Sequence, residues 1–132
     1  MSEYLELLKK YKFDKQIKKF NKIFKDKKIV VYGGDSFFEI IKNNYDLSGL
    51  NIIGISDLKY NFNDEGKSDF GYKIILKDKI VQYNPDVVLI STIKTFKNYQ
   101  LLKRGILKNT KIKVYPMLNK SFFELLLVAF GR

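Results

Sequence analysis

The chain contains no cysteine and no histidine among its 132 residues. Without cysteine it has no disulfide, thiolate nucleophile or zinc-thiolate site. Without histidine it lacks the side chain most used as a general base near neutral pH and the commonest metal ligand. Any catalysis would therefore rest on Asp, Glu, Lys, Tyr, Ser or Thr. The length predicts one domain, and the absence of cysteine together with a charged N-terminus predicts a cytoplasmic protein.

Arginine is scarce, although the net charge is +11. All basic residues except Arg104 and Arg132 are lysines. Arginine favours bidentate contacts with phosphate and guanine, so a nucleic-acid surface would usually hold more of it. Solvated lysines account for the charge more simply, since lysine is nearly always exposed. We therefore predict no specific nucleic-acid partner, and keep a lysine-rich nucleic-acid binder acting through residues 9–28 as an alternative.

Residues 1–27 are predicted to form an N-terminal helical segment with two apolar stripes that lie on different helix faces. The stripes are Tyr4, Leu7, Leu8 and Tyr11, and then Phe13, Ile17, Phe20 and Phe24. One straight helix cannot bury both, so we expect two short helices with a break at 12–14. Ser2 is predicted to cap the first helix and Asp14 the second.

Residues 28–116 alternate between strand and helix patterns. Strands are predicted at 28–33, 51–56, 86–91 and 111–115, and helices at 36–44, 77–83 and 95–108. This order predicts an α/β, Rossmann-like three-layer sandwich with a mainly parallel sheet of about four to five strands. The last strand alternates lysine with apolar residues, which is typical of a sheet edge. Residues 61–71 are predicted to be a surface loop, followed by an extended piece at 72–76.

The candidate site lies at the carboxyl ends of the strands, where ligands bind in open parallel sheets at the point of strand-order reversal. The glycines permit a tight turn, and the amides of the following helix start attract anions. An acidic residue after the second strand can accept hydrogen bonds from the hydroxyl groups of a ribose. We therefore predict a nucleotide or nucleotide-sugar site, with NAD as one cofactor option. Its predicted residues are Gly33, Gly34, Asp35, Ser36, Asp57, Ser91 and Thr92.

The glycine pattern departs from the dinucleotide fingerprint Gly-x-Gly-x-x-Gly. Asp35 occupies the second glycine position and Phe38 the third. A carboxylate beside a pyrophosphate opposes binding, so the identity of the cofactor stays open. The alternative is structural: Gly33 and Gly34 form only a strand-to-helix turn that Asp35 or Ser36 caps, and Asp57 only ends a strand.

Several segments of residues 28–116 carry a family resemblance. They read Ile-Val-Val-Tyr-Gly-Gly-Asp-Ser, Asn-Ile-Ile-Gly-Ile-Ser-Asp, Gly-Tyr-Lys-Ile-Ile and Asn-Pro-Asp-Val-Val-Leu-Ile-Ser. This arrangement resembles the small Rossmann-like, CoA-binding-like domain that precedes the nucleotide-sugar epimerase and dehydratase modules of bacterial polysaccharide biosynthesis. The resemblance implies a Rossmann-like fold, with Gly33 and Gly34 in the first turn and Asp57 after the second strand. It implies a role in surface-polysaccharide synthesis.

Residues 117–132 are predicted to form an apolar helix that packs on the domain or on a partner. Residues 122–130 are apolar on nearly every side, yet a membrane span needs about 20 such residues. No transmembrane segment is therefore predicted. A helix that is apolar all round is usually buried, which favours a homodimer. Contact with a membrane surface is the alternative, because a basic N-terminus beside an apolar tail suits an anionic leaflet.

No catalytic constellation stands out in the sequence. Tyr32, Asp35, Asp57 and Lys94 could meet at the mouth of the crevice, but their spacing singles out no reaction. The leading prediction is a non-catalytic nucleotide- or nucleotide-sugar-binding module. The alternative is an oligomerising scaffold whose crevice is vestigial.

Overall fold

The computed structural model describes residues 2–92 and 95–117. Its α-helices are α1 Ser2–Lys10, α2 Phe13–Ile23, α3 Ser36–Asn44 and α4 Thr95–Leu101. Its strands are β1 Ile29–Tyr32, β2 Ile52–Ser56, β3 Ser68–Asp69, β4 Tyr72–Lys73, β5 Val87–Ile90 and β6 Lys113–Pro116. Four of them form one parallel sheet in the order β2-β1-β5-β6. The predicted α/β class with a mainly parallel sheet is confirmed.

The sheet is covered on both faces, because alternate residues of each central strand point to opposite sides. Ile29 and Val31 of β1 pack with α1, α2 and α3. Val30 and Tyr32 pack on the other side with Ile80 and with the helix that follows β5. Every residue of β1 and β5 is buried, as expected for parallel strands that lie between two helical layers.

The order of the strands reverses beside β1. From β1 the chain passes through α3 to β2, and from β2 it returns across the opposite face to β5 on the other side of β1. This second crossing runs through a 3-10 helix, Lys77–Tyr83, whose Ile80 is fully buried. The carboxyl ends of β1 and β5 therefore lie side by side with their connections leaving toward opposite faces, which is the geometry of a switch-point crevice.

The break between the two N-terminal helices is confirmed, but the predicted cap is wrong. Lys12 adopts a left-handed conformation with φ 56° and occupies the position before α2, without a side-chain cap bond. Asp14 lies inside the first turn of α2 instead. The reason is packing: the Phe13 ring is buried edge-on against Tyr45, with centroids 5.0 Å apart, so the helix begins at that ring. Ser2 is the first residue of α1.

Three predicted elements differ in detail. Residues 77–83 form the 3-10 helix rather than an α-helix, and the predicted helix 95–108 is α4 followed by a π-helix at Leu102–Ile106. The predicted loop 61–71 holds a short 3-10 helix, Phe62–Asp64, and most of the hairpin of β3 and β4. The extended piece at 72–76 makes a parallel bridge to β2 through Ile74 and Ile55.

The edge strand β6 and the residue that follows it complete this side of the sheet. In β6 the exposed Lys113 and Tyr115 alternate with the buried Val114, as predicted, although the strand starts at 113 rather than 111. Met117 is buried, and its amide donates to the Ile90 carbonyl at 2.8 Å. The rest of the predicted C-terminal helix lies outside the described residues. Within residues 2–92 and 95–117, no helix is both long and apolar enough to cross a membrane.

Candidate functional site

All seven predicted site residues lie at the carboxyl edge of the sheet, on the three strands around the switch point. Four of them follow β1, Asp57 follows β2, and the remaining two follow β5. Hydrogen bonds between the strand ends link six of them: Gly33, Gly34, Asp35, Asp57, Ser91 and Thr92. The structure therefore places these positions at one edge of the sheet, and their role in binding a ligand stays a prediction.

The glycine turn requires its glycines for two different reasons. Gly33 has φ 125°, a conformation that side chains with a Cβ rarely adopt, and a Cβ there would lie 3.1 Å from the Ser91 Oγ. Its amide donates to the Ser56 carbonyl at 2.8 Å, which ties the turn to the end of β2. At Gly34 the constraint is space, because a Cβ would lie 2.6 Å from the Tyr60 hydroxyl.

Asp35 caps α3 and also bonds to the β5 end. Its Oδ1 accepts from the amides of Phe37 and Phe38 at 3.1 and 3.2 Å. Its Oδ2 accepts from the Thr92 hydroxyl at 2.6 Å. The carboxylate therefore stands where an external anion would meet the helix start, and it favours the helix by compensating the partial positive charge there. Ser36 begins α3 and is exposed.

Ser91 and Asp57 hold the turn from its two sides. The fully buried Ser91 hydroxyl donates to the Gly33 carbonyl at 2.7 Å. The Asp57 Oδ2 accepts from the Gly34 amide at 2.7 Å, and its Oδ1 accepts from the Lys59 amide at 3.1 Å. A carboxylate predicted to meet a ribose thus already accepts two protein amides, one on each oxygen.

A cover over the turn was not foreseen from the sequence. The loop after β2 places the Tyr60 hydroxyl and the Phe70 ring 2.6 and 3.3 Å from the position that a Cβ on Gly34 would occupy. The Tyr60 hydroxyl donates to the Asp69 Oδ2 at 2.6 Å, and the Lys59 ammonium donates to the Gly34 carbonyl. Burial, and then the hydrogen bond to Asp69, raises the pKa of Tyr60. The available signal was the pair of aromatic residues that flank the polar loop.

Two buried hydroxyls lie below this network on the face opposite α3. Tyr32 and Ser56 are register partners at the ends of β1 and β2, and their side chains are 1% and 0% exposed. Within the described part of the chain, neither hydroxyl has a hydrogen-bond partner. Burial, followed by the negative charge of Asp57, raises the pKa of Tyr32 to about 12. Buried hydroxyls are normally paired, so this pair marks the spot as unusual.

The polar groups of this edge are joined by hydrogen bonds. The Asp57 carboxylate and the Ser91 hydroxyl bond to backbone groups, and the Asp35 carboxylate accepts from the Thr92 hydroxyl and from two helix amides. Among the described residues there is no group of three acidic side chains that could hold a metal ion. Lys94, which the sequence also nominated, lies outside the described residues.

No family model, no curated protein and no solved structure matches the chain.

Proposed function

We propose that the chain is a non-catalytic, Rossmann-like module that binds a nucleotide or nucleotide-sugar at the carboxyl edge of its sheet. The observation that carries this proposal is the convergence of the glycine turn, Asp57 and the Ser91-Thr92 pair at the reversal of strand order. Ligands of open parallel sheets bind at that place.

We propose a non-catalytic module because the polar groups of the site are bonded to the protein itself. The Asp35 and Asp57 carboxylates each accept bonds that hold the turn, and the Ser91 hydroxyl donates to a carbonyl rather than to a base. These bonds suit a rigid binding surface. We further propose a role in bacterial surface-polysaccharide synthesis, which rests on the resemblance alone, and a cytoplasmic location, which rests on the cysteine-free composition.

Calorimetry with NAD, CoA, UDP-glucose and ATP tests the proposal. A matched pair of variants makes the test specific to the edge. Ser36→Glu adds a negative charge at the exposed first residue of α3, where an acidic side chain also favours the helix. Ser68→Glu adds the same charge at an exposed position of β3. We expect at least one ligand to bind and only Ser36→Glu to weaken it. No binding by any of the four at millimolar concentration would contradict the proposal.

An oligomerising scaffold with a vestigial crevice is the second candidate, and one observation favours it. Tyr60 and Phe70 cover Gly34, so the place where backbone would approach a ligand is filled by the chain itself. This candidate predicts a homo-oligomer and no ligand. The oligomeric state is measured by size-exclusion chromatography with light scattering, on the chain and on a version without residues 120–132. An oligomer that is lost on truncation, together with silent calorimetry, would select the scaffold over the binding module.

A further inference from the structure

A cavity of about 310 Å³ opens at the amino edge of the sheet, on the side opposite the glycine turn. Three segments enclose it: the end of α2 with the turn to Lys27, the 3-10 helix and approach to β5 (Val81 and 84–87), and the approach to β6 at 110–113. All of these residues lie in the described part of the chain. The volume falls at the lower end of the range of small-molecule sites.

The walls of the cavity combine apolar and polar side chains and are partly open to solvent. Phe24 and Ile112 are buried and line its inner side. Ile23 and Val81 lie at its rim with 47% and 43% of their surfaces exposed. Covering the exposed part of either side chain would be favourable, because each methylene removed from water contributes about 0.8 kcal/mol to the free energy of binding. A ligand with an apolar body would cover both at once.

The charge around the cavity has one dominant sign. Lys27, Lys111 and Lys113 line it with exposed side chains, against a single carboxylate, Asp86. That carboxylate is already engaged, since its Oδ2 accepts from the Lys28 amide at 2.8 Å. Among the residues that line the cavity, the lysines have no acidic neighbour other than Asp86. A concave surface of this kind concentrates anions.

The cavity is preformed, because its walls are hydrogen-bonded to one another. The amides of Asp86 and Val87 donate to the Lys28 carbonyl at 2.8 and 3.2 Å. The Lys113 amide donates to the Asp86 carbonyl at 3.2 Å. The Thr110 hydroxyl accepts from the Ile112 amide at 3.3 Å, which fixes the entry to β6. A site held in this way loses little conformational freedom when it binds.

We infer that this cavity binds a small amphipathic anion, that is, a molecule with an apolar body and one carboxylate, sulfonate or phosphate group. The apolar body would pack on Phe24 between Ile23 and Val81, and the anionic group would face Lys27 and Lys111. The size of the cavity and the complementary charge favour a small molecule over a protein surface. This site is separate from the carboxyl edge and does not depend on the nucleotide proposal.

Fluorescence titration with 1-anilinonaphthalene-8-sulfonate, an aromatic sulfonate, tests the inference on the full chain. We expect saturable binding that the double variant Lys27→Glu/Lys111→Glu weakens about tenfold, because it replaces attraction by like-charge repulsion. Ile23→Ser should weaken it as well by removing apolar contact. The control is Lys67→Glu/Lys97→Glu, which makes the same change of charge at exposed positions away from the cavity. Circular dichroism verifies that each variant is folded.

Three results would overturn the inference. The first is no saturable binding to the wild-type chain. The second is equal weakening by the two double variants, which would reduce the effect to net charge. The third is full-strength binding by folded Ile23→Ser, which would place the aromatic body elsewhere. Binding that falls only in the cavity variants supports the site, whatever ligands the carboxyl edge binds.

Discussion

The carboxyl and amino edges of the four-stranded sheet differ in how their side chains are used. At the carboxyl edge, polar groups are packed together and bond mainly to one another: Asp35 with Thr92, Ser91 with the Gly33 carbonyl, and Asp57 with the Gly34 amide. At the amino edge, apolar side chains and lysines surround an open cavity. The difference shows that the residues most typical of a binding site contribute to holding the turn. A second surface, which no sequence motif marked, remains available for contacts.

The largest expected effect at the carboxyl edge comes from filling the space at Gly34. Gly34→Ala places a Cβ 2.6 Å from the Tyr60 hydroxyl, so the cover must shift, at a cost of about 2 kcal/mol of unfolding free energy. Urea denaturation measures it. Gly105→Ala is the matched control, since a Cβ there meets nothing within 4 Å. Adding Tyr60→Phe should recover part of the loss; an unchanged loss in the double variant would mean that the hydroxyl is not the obstacle.

The second-largest loss of stability is expected when the carboxylate that caps α3 is removed. Asp35→Ala removes the acceptor of two helix amides and one bond of the Thr92 hydroxyl, and we expect a loss of about 1.5 kcal/mol of unfolding free energy. Glu39→Ala changes an exposed acid in the first turn of the same helix and should stay within about 0.5 kcal/mol. Equal losses in the two variants would show that helix charge, rather than the cap, is what matters. Thermal unfolding at matched buffer conditions gives both numbers.

The buried hydroxyl of Tyr32 predicts a specific dependence on pH. Its pKa is raised from 10.0 to about 12 in the folded chain, so the unfolded chain loses this proton first as the pH rises. Tyr32 therefore destabilises the fold progressively between pH 10 and 12 and has no such effect below pH 10. Tyr32→Phe removes this effect and should gain about 1 kcal/mol relative to wild type at pH 11. Equal pH profiles for the two proteins from pH 9 to 12 would contradict the burial of this hydroxyl.

The smallest expected effect lies at the amino edge. Ile23→Ser and Val81→Ser each change a side chain that is almost half exposed, so the unfolding free energy should change by no more than about 0.5 kcal/mol. This result would distinguish the amino edge from the carboxyl edge, because substitutions at the amino edge are expected to weaken ligand binding without changing the stability of the fold. A loss above about 1.5 kcal/mol, read by urea denaturation, would mean that these side chains are part of the folded core.

The sequence predicted those elements whose signals are local. The strand before Gly33 and helix α3 follow from a contiguous apolar run, two glycines and a capping acid, and α3 has the predicted bounds. The 3-10 form of residues 77–83 was missed, because a buried Ile80 fits either helix type, and the segment ends at Asn84 in a left-handed conformation. The cap of α2 was missed because Phe13 packs against Tyr45, a contact between distant parts of the chain.

The sequence predicted the location of these residues but not the hydrogen bonds that they make. The rule that strand ends converge at the reversal of order nominated seven positions, all of which lie at the carboxyl edge of the sheet, and their binding of a ligand stays a prediction. It could not show that Tyr60 and Phe70 cover Gly34, since that contact depends on how a polar loop folds back over the sheet. Nor could it show the amino-edge cavity, whose lining comes from three segments that are far apart in the sequence.

Amide NMR of the isotope-labelled chain, titrated with NAD, CoA, UDP-glucose and ATP, tests the central claim most directly because it reads both edges in one experiment. We predict that at least one of these ligands shifts the amide signals of Gly33, Gly34, Ser36 and Ser91 and leaves those of Asp86 and Lys113 in place. No shift with any ligand, or shifts confined to the amino edge, would contradict a nucleotide site at the carboxyl ends of the strands.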